Sequence, residues 1–338
     1  MRPAKQNHAW QPSKLQKRVD EIARRAADTE AARIPWPQLL RTRELYVKWQ
    51  AFLLWVRVIE DSEGSVPQWL AETINKRCPG FLRFAEEQPA NDPRNPSSLW
   101  SRLERWINER VFAKPRREGW MDAVGYYAVR DLAALRDEAY WYYCDDQRKL
   151  SKPAAYPSFR QWRKASESCT DEVLDHFDTT DELRELIRLS RQVSPRTLKK
   201  TVDQYVEWEM FACWARTALD REDRPPDLVK RTLQRRCPGF LRALASSPAN
   251  GGRESENRYN QFRRWIEEQE FTRAREEGWL PVLAYQAHLH PRYQRVIDYW
   301  RQWRRLHSEN ARSGYPSYER WKAAAEAYTF KPEDASSR

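Results

Sequence analysis

Arg77-Cys78-Pro79-Gly80-Phe81-Leu82-Arg83 recurs unchanged as Arg236-Cys237-Pro238-Gly239-Phe240-Leu241-Arg242, 159 positions later. The agreement extends well beyond the heptapeptide. Residues 46–165 lie over 205–324 without a gap, and 40 of these 120 positions are identical. The matches are mostly aromatic. Tyr46, Trp49, Phe52 and Trp55 return as Tyr205, Trp208, Phe211 and Trp214, and Trp106, Phe112 and Trp162 as Trp265, Phe271 and Trp321. A repeat of this length is that of a whole domain, not of a solenoid unit. The expected architecture is therefore two tandem, sequence-related domains made by internal duplication.

The spacing predicts that both are helical. Tyr46, Trp49, Phe52, Leu53 and Val56 share one face of a helix over 38–60, and Tyr205, Trp208, Phe211, Ala212 and Ala215 share the matching face. Strand signals are nearly absent: Leu, Ala, Arg and Glu dominate and no hairpin dipeptide sits between alternating runs. A short helix is expected from Gln68 to Lys76, ended by the Cys78-Pro79-Gly80 turn, and another over Phe81–Glu87. Ser97 or Ser98 caps a helix through Phe112, and Pro115 opens one reaching Ala128. A helix over Asp131–Arg148 and a closing helix from Tyr156-Pro157-Ser158 complete the unit. The chain is thus all-α, with a basic N-terminal arm and helix over 1–37 and a first domain over 38–168. A helical connector over 169–195, a second domain over 196–330 and a disordered tail over 331–338 follow.

Charge narrows the function. The formal net charge is +11, and 46 of the 60 basic residues are Arg. Residues 1–45 carry +5, the first repeat +4 and the second +6, whereas 166–204 carries −3. Positive charge placed on the repeats and the leading arm suits a polyanionic partner, nucleic acid above all. The positions basic in both copies are the candidate phosphate contacts. They include Arg57 and Arg216, Lys76 and Arg235, Arg77 and Arg236, Arg83 and Arg242, Arg105 and Arg264, and Arg116 and Arg275. A helix, a Gly-containing turn and a second helix follow the outline of a helix-turn-helix. Pro79 in the turn and the short acidic helix after it speak instead for a buried structural corner.

Catalytic signatures are missing. No HExxH, GxSxG or phosphate-binding glycine loop is present. The five Cys include no CxxC pair, and of the five His only His288 and His290 lie close together, so no metal and no cofactor is expected. The shared acids Asp61/Asp220, Glu63/Glu222, Glu109/Glu268 and Glu118/Glu277 fall in loops or on charged faces, where ion pairing is their expected role. An odd Cys count without a signal peptide fits a cytoplasmic protein with reduced thiols, and no run is apolar and long enough to span a membrane. The expectation is a non-enzymatic accessory protein that binds nucleic acid, duplex DNA before RNA, through equivalent faces of both domains. The alternative is an adaptor presenting two related helical surfaces to a protein partner.

Overall fold

The computed structural model describes residues 23–328, except 25, 32, 64–65, 88–97, 151–156, 222–225, 247–257 and 310–314. Among the described residues all regular structure is helical and no strand occurs. The chain divides into two compact units, Met1–Arg191 and Gln192–Arg338.

In the first unit a short helical stretch, α1 (26–31), precedes the long α2 (Trp36–Glu63). There follow α3 (Gln68–Arg77), α4 (Phe81–Glu87), α5 (Leu99–Arg110), α6 (Ala113–Arg117), α7 (Met121–Ala128), α8 (Leu132–Leu150) and α9 (Phe159–Ser168). The unit ends with α10 (Asp171–Asp175) and α11 (Asp181–Ser190). Helix α2 is the axis, packing against α5, α7, α8 and α9. Its inward face, Phe52, Trp55, Val56 and Ile59, meets Leu70 and Ile74 of α3, Leu103 and Ile107 of α5, Phe112 and Trp162, all buried. The sequence places the connector over 169–195; its helices α10 and α11 pack on α8 within the first unit.

The second unit runs α12 (Pro195–Arg221), α13 (Asp227–Arg236), α14 (Phe240–Ser246), α15 (Arg258–Glu270), α16 (Thr272–Glu276), α17 (Leu280–His288), α18 (Pro291–Glu309) and α19 (Tyr318–Ala327). Here α12 is the axis, against α15, α17, α18 and α19. Matching atoms lock both units. The indole N–H of Trp55 donates to the Pro157 carbonyl at 3.0 Å, and that of Trp214 to the Pro316 carbonyl at 3.1 Å. Each bond ties the central helix to the chain just before the closing helix. Ser158 then starts α9 with a capping box completed by Gln161, and Ser317 caps α19 through the Arg320 N–H, which is how serine satisfies the first free helix donors.

The repeated heptapeptide is a buried corner. Cys78 and Cys237 donate their N–H groups to the Ile74 and Leu233 carbonyls at 2.7 Å, and Phe81 and Phe240 turn back to the Cys carbonyls at 3.0 and 3.1 Å. Both thiols and both phenyl rings are buried, and burial pushes the two thiols up to about 12. Such thiols are poor nucleophiles. Gly80 and Gly239 carry φ of +88° and +103°, a region costly for residues with a Cβ.

One local expectation is corrected. Pro115 does not open a helix reaching Ala128. It is the third residue of the five-residue α6, and Gly119, at φ +72°, breaks the chain before α7 starts at Met121. The Trp120 indole donates to Glu118 across that break at 3.0 Å, and Trp279 does the same to Glu277 at 2.8 Å. The leading helix, where it is described, packs on α7. Ala27 and Ala31 are buried against Trp120, Ala123, Val124 and Tyr127, while the Ala123 N–H donates to Glu30 at 3.0 Å. Residues 1–22 of the basic arm and the tail over 331–338 lie outside the described residues.

A Cβ built on Gly80 or Gly239 meets no atom within 4 Å, so substitution there carries only the backbone cost. Gly80→Ala and Gly239→Ala each lower stability by about 1–2 kcal/mol in urea titrations. Gly125→Ala, inside α7 and equally unobstructed, leaves it unchanged or raises it by up to about 1 kcal/mol. Equal effects at all three positions would contradict the turn geometry.

Candidate functional site

The twelve basic positions picked from the sequence divide by what their side chains touch. Arg77 lies over the rings of Trp49, Phe52 and Phe159, with its guanidinium carbon 5.1, 4.5 and 4.8 Å from the centroids. Arg236 lies over Trp208, Phe211 and Tyr318 at 5.6, 4.6 and 4.7 Å. Arg57 covers Trp100 and Trp141, and Arg216 covers Tyr259 and Trp300. A weakly hydrated planar cation stacks well on such rings. These four arginines therefore join helices within each unit. Burial of Arg77 lowers its affinity for the proton, but the residue keeps part of its surface open.

Four others are in ion pairs. Arg83 pairs with Glu87 at 2.7 Å, Arg105 with Glu109 at 2.9 Å, Arg275 with Glu268 at 3.1 Å and Arg235 with Glu319 at 3.7 Å. Arg242 and Arg264 are exposed but not without partners. Lys76 and Arg116 are exposed and make no ion pair among the described residues. Arg116 is not alone. Arg110, Lys114 and Arg117 share the corner where α5 ends and α6 runs, all exposed and likewise without an ion pair among the described residues. Of the two acids beside them, Glu109 is paired with Arg105, while Glu118 accepts from the neutral Trp120 indole and keeps its charge.

Lys48, Arg160 and Lys164 escaped the sequence criterion, which admitted only positions basic in both copies. All three are exposed and none forms an ion pair among the described residues. The signal that finds them is the opposite one: positions where the copies differ in charge. Lys48 and Arg160 stand where the second copy has Glu207 and Glu319, and Lys164 where it has Ala323.

The remaining polar clusters are structural. Among the described residues no group of three or more His, Cys, Asp or Glu could hold a metal ion. His288 turns its Nδ1 to the Ala284 carbonyl at 2.7 Å, and the Nδ1 of buried His290 accepts from the Arg292 N–H at 3.2 Å. In the second unit a cleft of about 10 Å³ lies between Tyr205, Trp208 and Phe271, room for about one water and not for a ligand. Arg263 fills its polar side, pairing with buried Glu209 at 2.7 Å. No helix of the described residues is long and apolar enough to cross a membrane. Compared with protein-family models, with curated proteins and with solved structures, the chain finds no match.

Two tests follow from this geometry. Arg236→Ala destabilises the second unit by about 2 kcal/mol in thermal or urea melts, because the cation is lost from over three rings. An unchanged melt would show that the stacked arginine does not hold the unit together. The second concerns Asp137, which accepts from the Ser166 hydroxyl at 2.6 Å and from Arg163. Burial outweighs both partners and raises its carboxyl to about 6. Its folded pKa lies above the unfolded value of about 3.9, so the folded state holds the proton more tightly. The resulting stabilisation is full below pH ~4 and is lost as pH rises towards ~6. Wild-type stability should therefore fall across that window relative to Asp137→Asn, and parallel pH curves would exclude the shift.

Proposed function

We propose that this protein binds nucleic acid, duplex DNA before RNA, as a non-enzymatic accessory factor that contacts phosphates through exposed arginines and lysines. The observation that carries this reading is the corner of Arg110, Lys114, Arg116 and Arg117. These four exposed cations lie within eight residues of chain, and none has an ion pair among the described residues. Four cations beside the single charge of Glu118 leave a net positive corner, which suits a polyanion. Contacts of this kind position a protein on a duplex without reading its sequence. The two units, read as copies of one ancestral domain, would add avidity where both engage a single duplex. A cytoplasmic setting suits the five free thiols.

One observation favours the adaptor alternative. Eight of the twelve expected contact residues are stacked on rings or ion-paired within their own unit. Trp69 and Val129, at 41% and 52% exposure, also offer apolar surface to a protein.

A salt titration against a random-sequence duplex separates the two. Phosphate binding gives a log K that falls against log salt with a slope of roughly −0.9 per phosphate neutralised. Absence of binding at ~50 mM salt would remove the nucleic-acid reading and leave the adaptor.

A further inference from the structure

The two units place matching aromatic atoms alike, yet charges beside the stacked arginine differ between them. In the second unit, Arg236 lies against Tyr318 at the start of α19. The next residue, Glu319, pairs with Arg235 at 3.7 Å. Beside them Glu207 of α12 receives Lys322 of α19 at 2.8 Å and Arg292 of α18 at 2.5 Å. Burial alone would raise the Glu207 carboxyl, but Lys322 and Arg292 hold it below its usual range. Glu207 and Glu319 thus neutralise part of the positive charge on this surface.

The first unit keeps the frame and loses the acids. Arg77 lies over Trp49 of α2 and Phe159 of α9, which brings the end of α3 to the start of α9. Arg160 follows Phe159 directly, and Lys164 is one turn further along the same helix face. Lys48 precedes Trp49 on α2, and Lys76 precedes Arg77. Arg163, which also faces Arg77, has its own acids in Asp137 and Glu167. Positions 48, 76, 77, 160 and 164 carry five positive charges, against two Arg, two Glu and an Ala at 207, 235, 236, 319 and 323. Exposed Glu72, one turn before Lys76, stands where the second unit has Arg231, which leaves +4 on the first face and +1 on the second.

We propose that the face built by α2, α3 and α9 around Arg77 is a polyanion-binding site, that its ligand is the phosphate backbone of a nucleic-acid duplex, and that the corresponding face of the second unit has lost or never gained this role. The inference rests on the nucleic-acid reading and narrows it, since the sequence suggested equivalent faces. It also runs against the bulk charge, because the second repeat is formally the more basic. Net charge sets the long-range field, but a phosphate contact needs a cation not already neutralised by a neighbour. Charge reversal at two positions is enough to separate the faces: position 48 or 207 on the central helix, and 160 or 319 on the closing helix.

The test installs the second unit's acids in the first. Lys48→Glu with Arg160→Glu changes two exposed side chains and should leave circular dichroism and the melt intact. It should weaken binding to a random-sequence duplex by at least about tenfold at ~100 mM salt, and make the salt slope shallower by roughly two units. Glu319→Arg in the second unit, also an exposed position, should bind at least as well as the wild type. If the wild type binds with a steep salt slope and the double variant matches it, the proposed face is wrong while the nucleic-acid reading stands. If the wild type does not bind at ~50 mM salt, that reading fails and the face falls with it.

Discussion

Each unit is closed by one arginine lying over aromatic rings from two other helices. Arg77 and Arg236 sit at the ends of α3 and α13, beside the Cys-Pro-Gly turn, and each covers two rings of the central helix and one at the start of the closing helix. Three helices meet at that point. The buried Cys and Phe of the corner fix where the helix ends, and the left-handed Gly aims the chain back into the core. The Trp55 and Trp214 indoles then hold the closing helices in place through the carbonyls of Pro157 and Pro316. An Arg–aromatic contact contributes about 0.5–2 kcal/mol, and it needs both the rings and the helix end in register. Corner, clamp and closing helix thus depend on one another.

This frame leaves charge free to vary. The aromatic positions agree between the units, whereas charged positions near them diverge. Gln50 and Glu104 in the first unit correspond to Glu209 and Arg263 in the second, where they form a buried ion pair. Such a pair costs desolvation and adds little net stability, so it can come and go while the apolar packing persists. The same freedom operates at the surface, where Lys48 and Arg160 face Glu207 and Glu319. A shared scaffold with divergent surfaces gives the two units different electrostatic faces without changing how either is held together.

Much of the fold was legible because its determinants are local or repeated. The inward face of α2 follows from the spacing of Tyr46, Trp49, Phe52 and Val56, and the start of α9 from Ser158 with Gln161 three residues on. The heptapeptide corner was readable from its Gly, Cys and Phe. The break after α6 was not, because it depends on the left-handed Gly119 and on an indole bonded to a carboxylate two residues away. The candidate site was harder still. An arginine stacked over tryptophan and one open to solvent look alike in a sequence, so Arg57 and Arg77 were indistinguishable from Arg116. Requiring a basic residue at both aligned positions favoured the structural arginines, since the aligned positions that agree include those that hold each unit together. Lys48 and Arg160 were hidden by that same requirement.

The central claim is that the basic residues fall into two classes, those that hold the units together and those left open to a polyanion. Mass-spectrometric mapping of lysine acylation, with and without a random-sequence DNA duplex, tests it most directly. The account predicts that Lys48, Lys76 and Lys164 react in the free protein and are protected by the duplex. Lys230 and Lys322, paired with Asp227 and Glu207, should react alike in both states. Protection spread evenly over both units, or confined to Lys230 and Lys322, would contradict it.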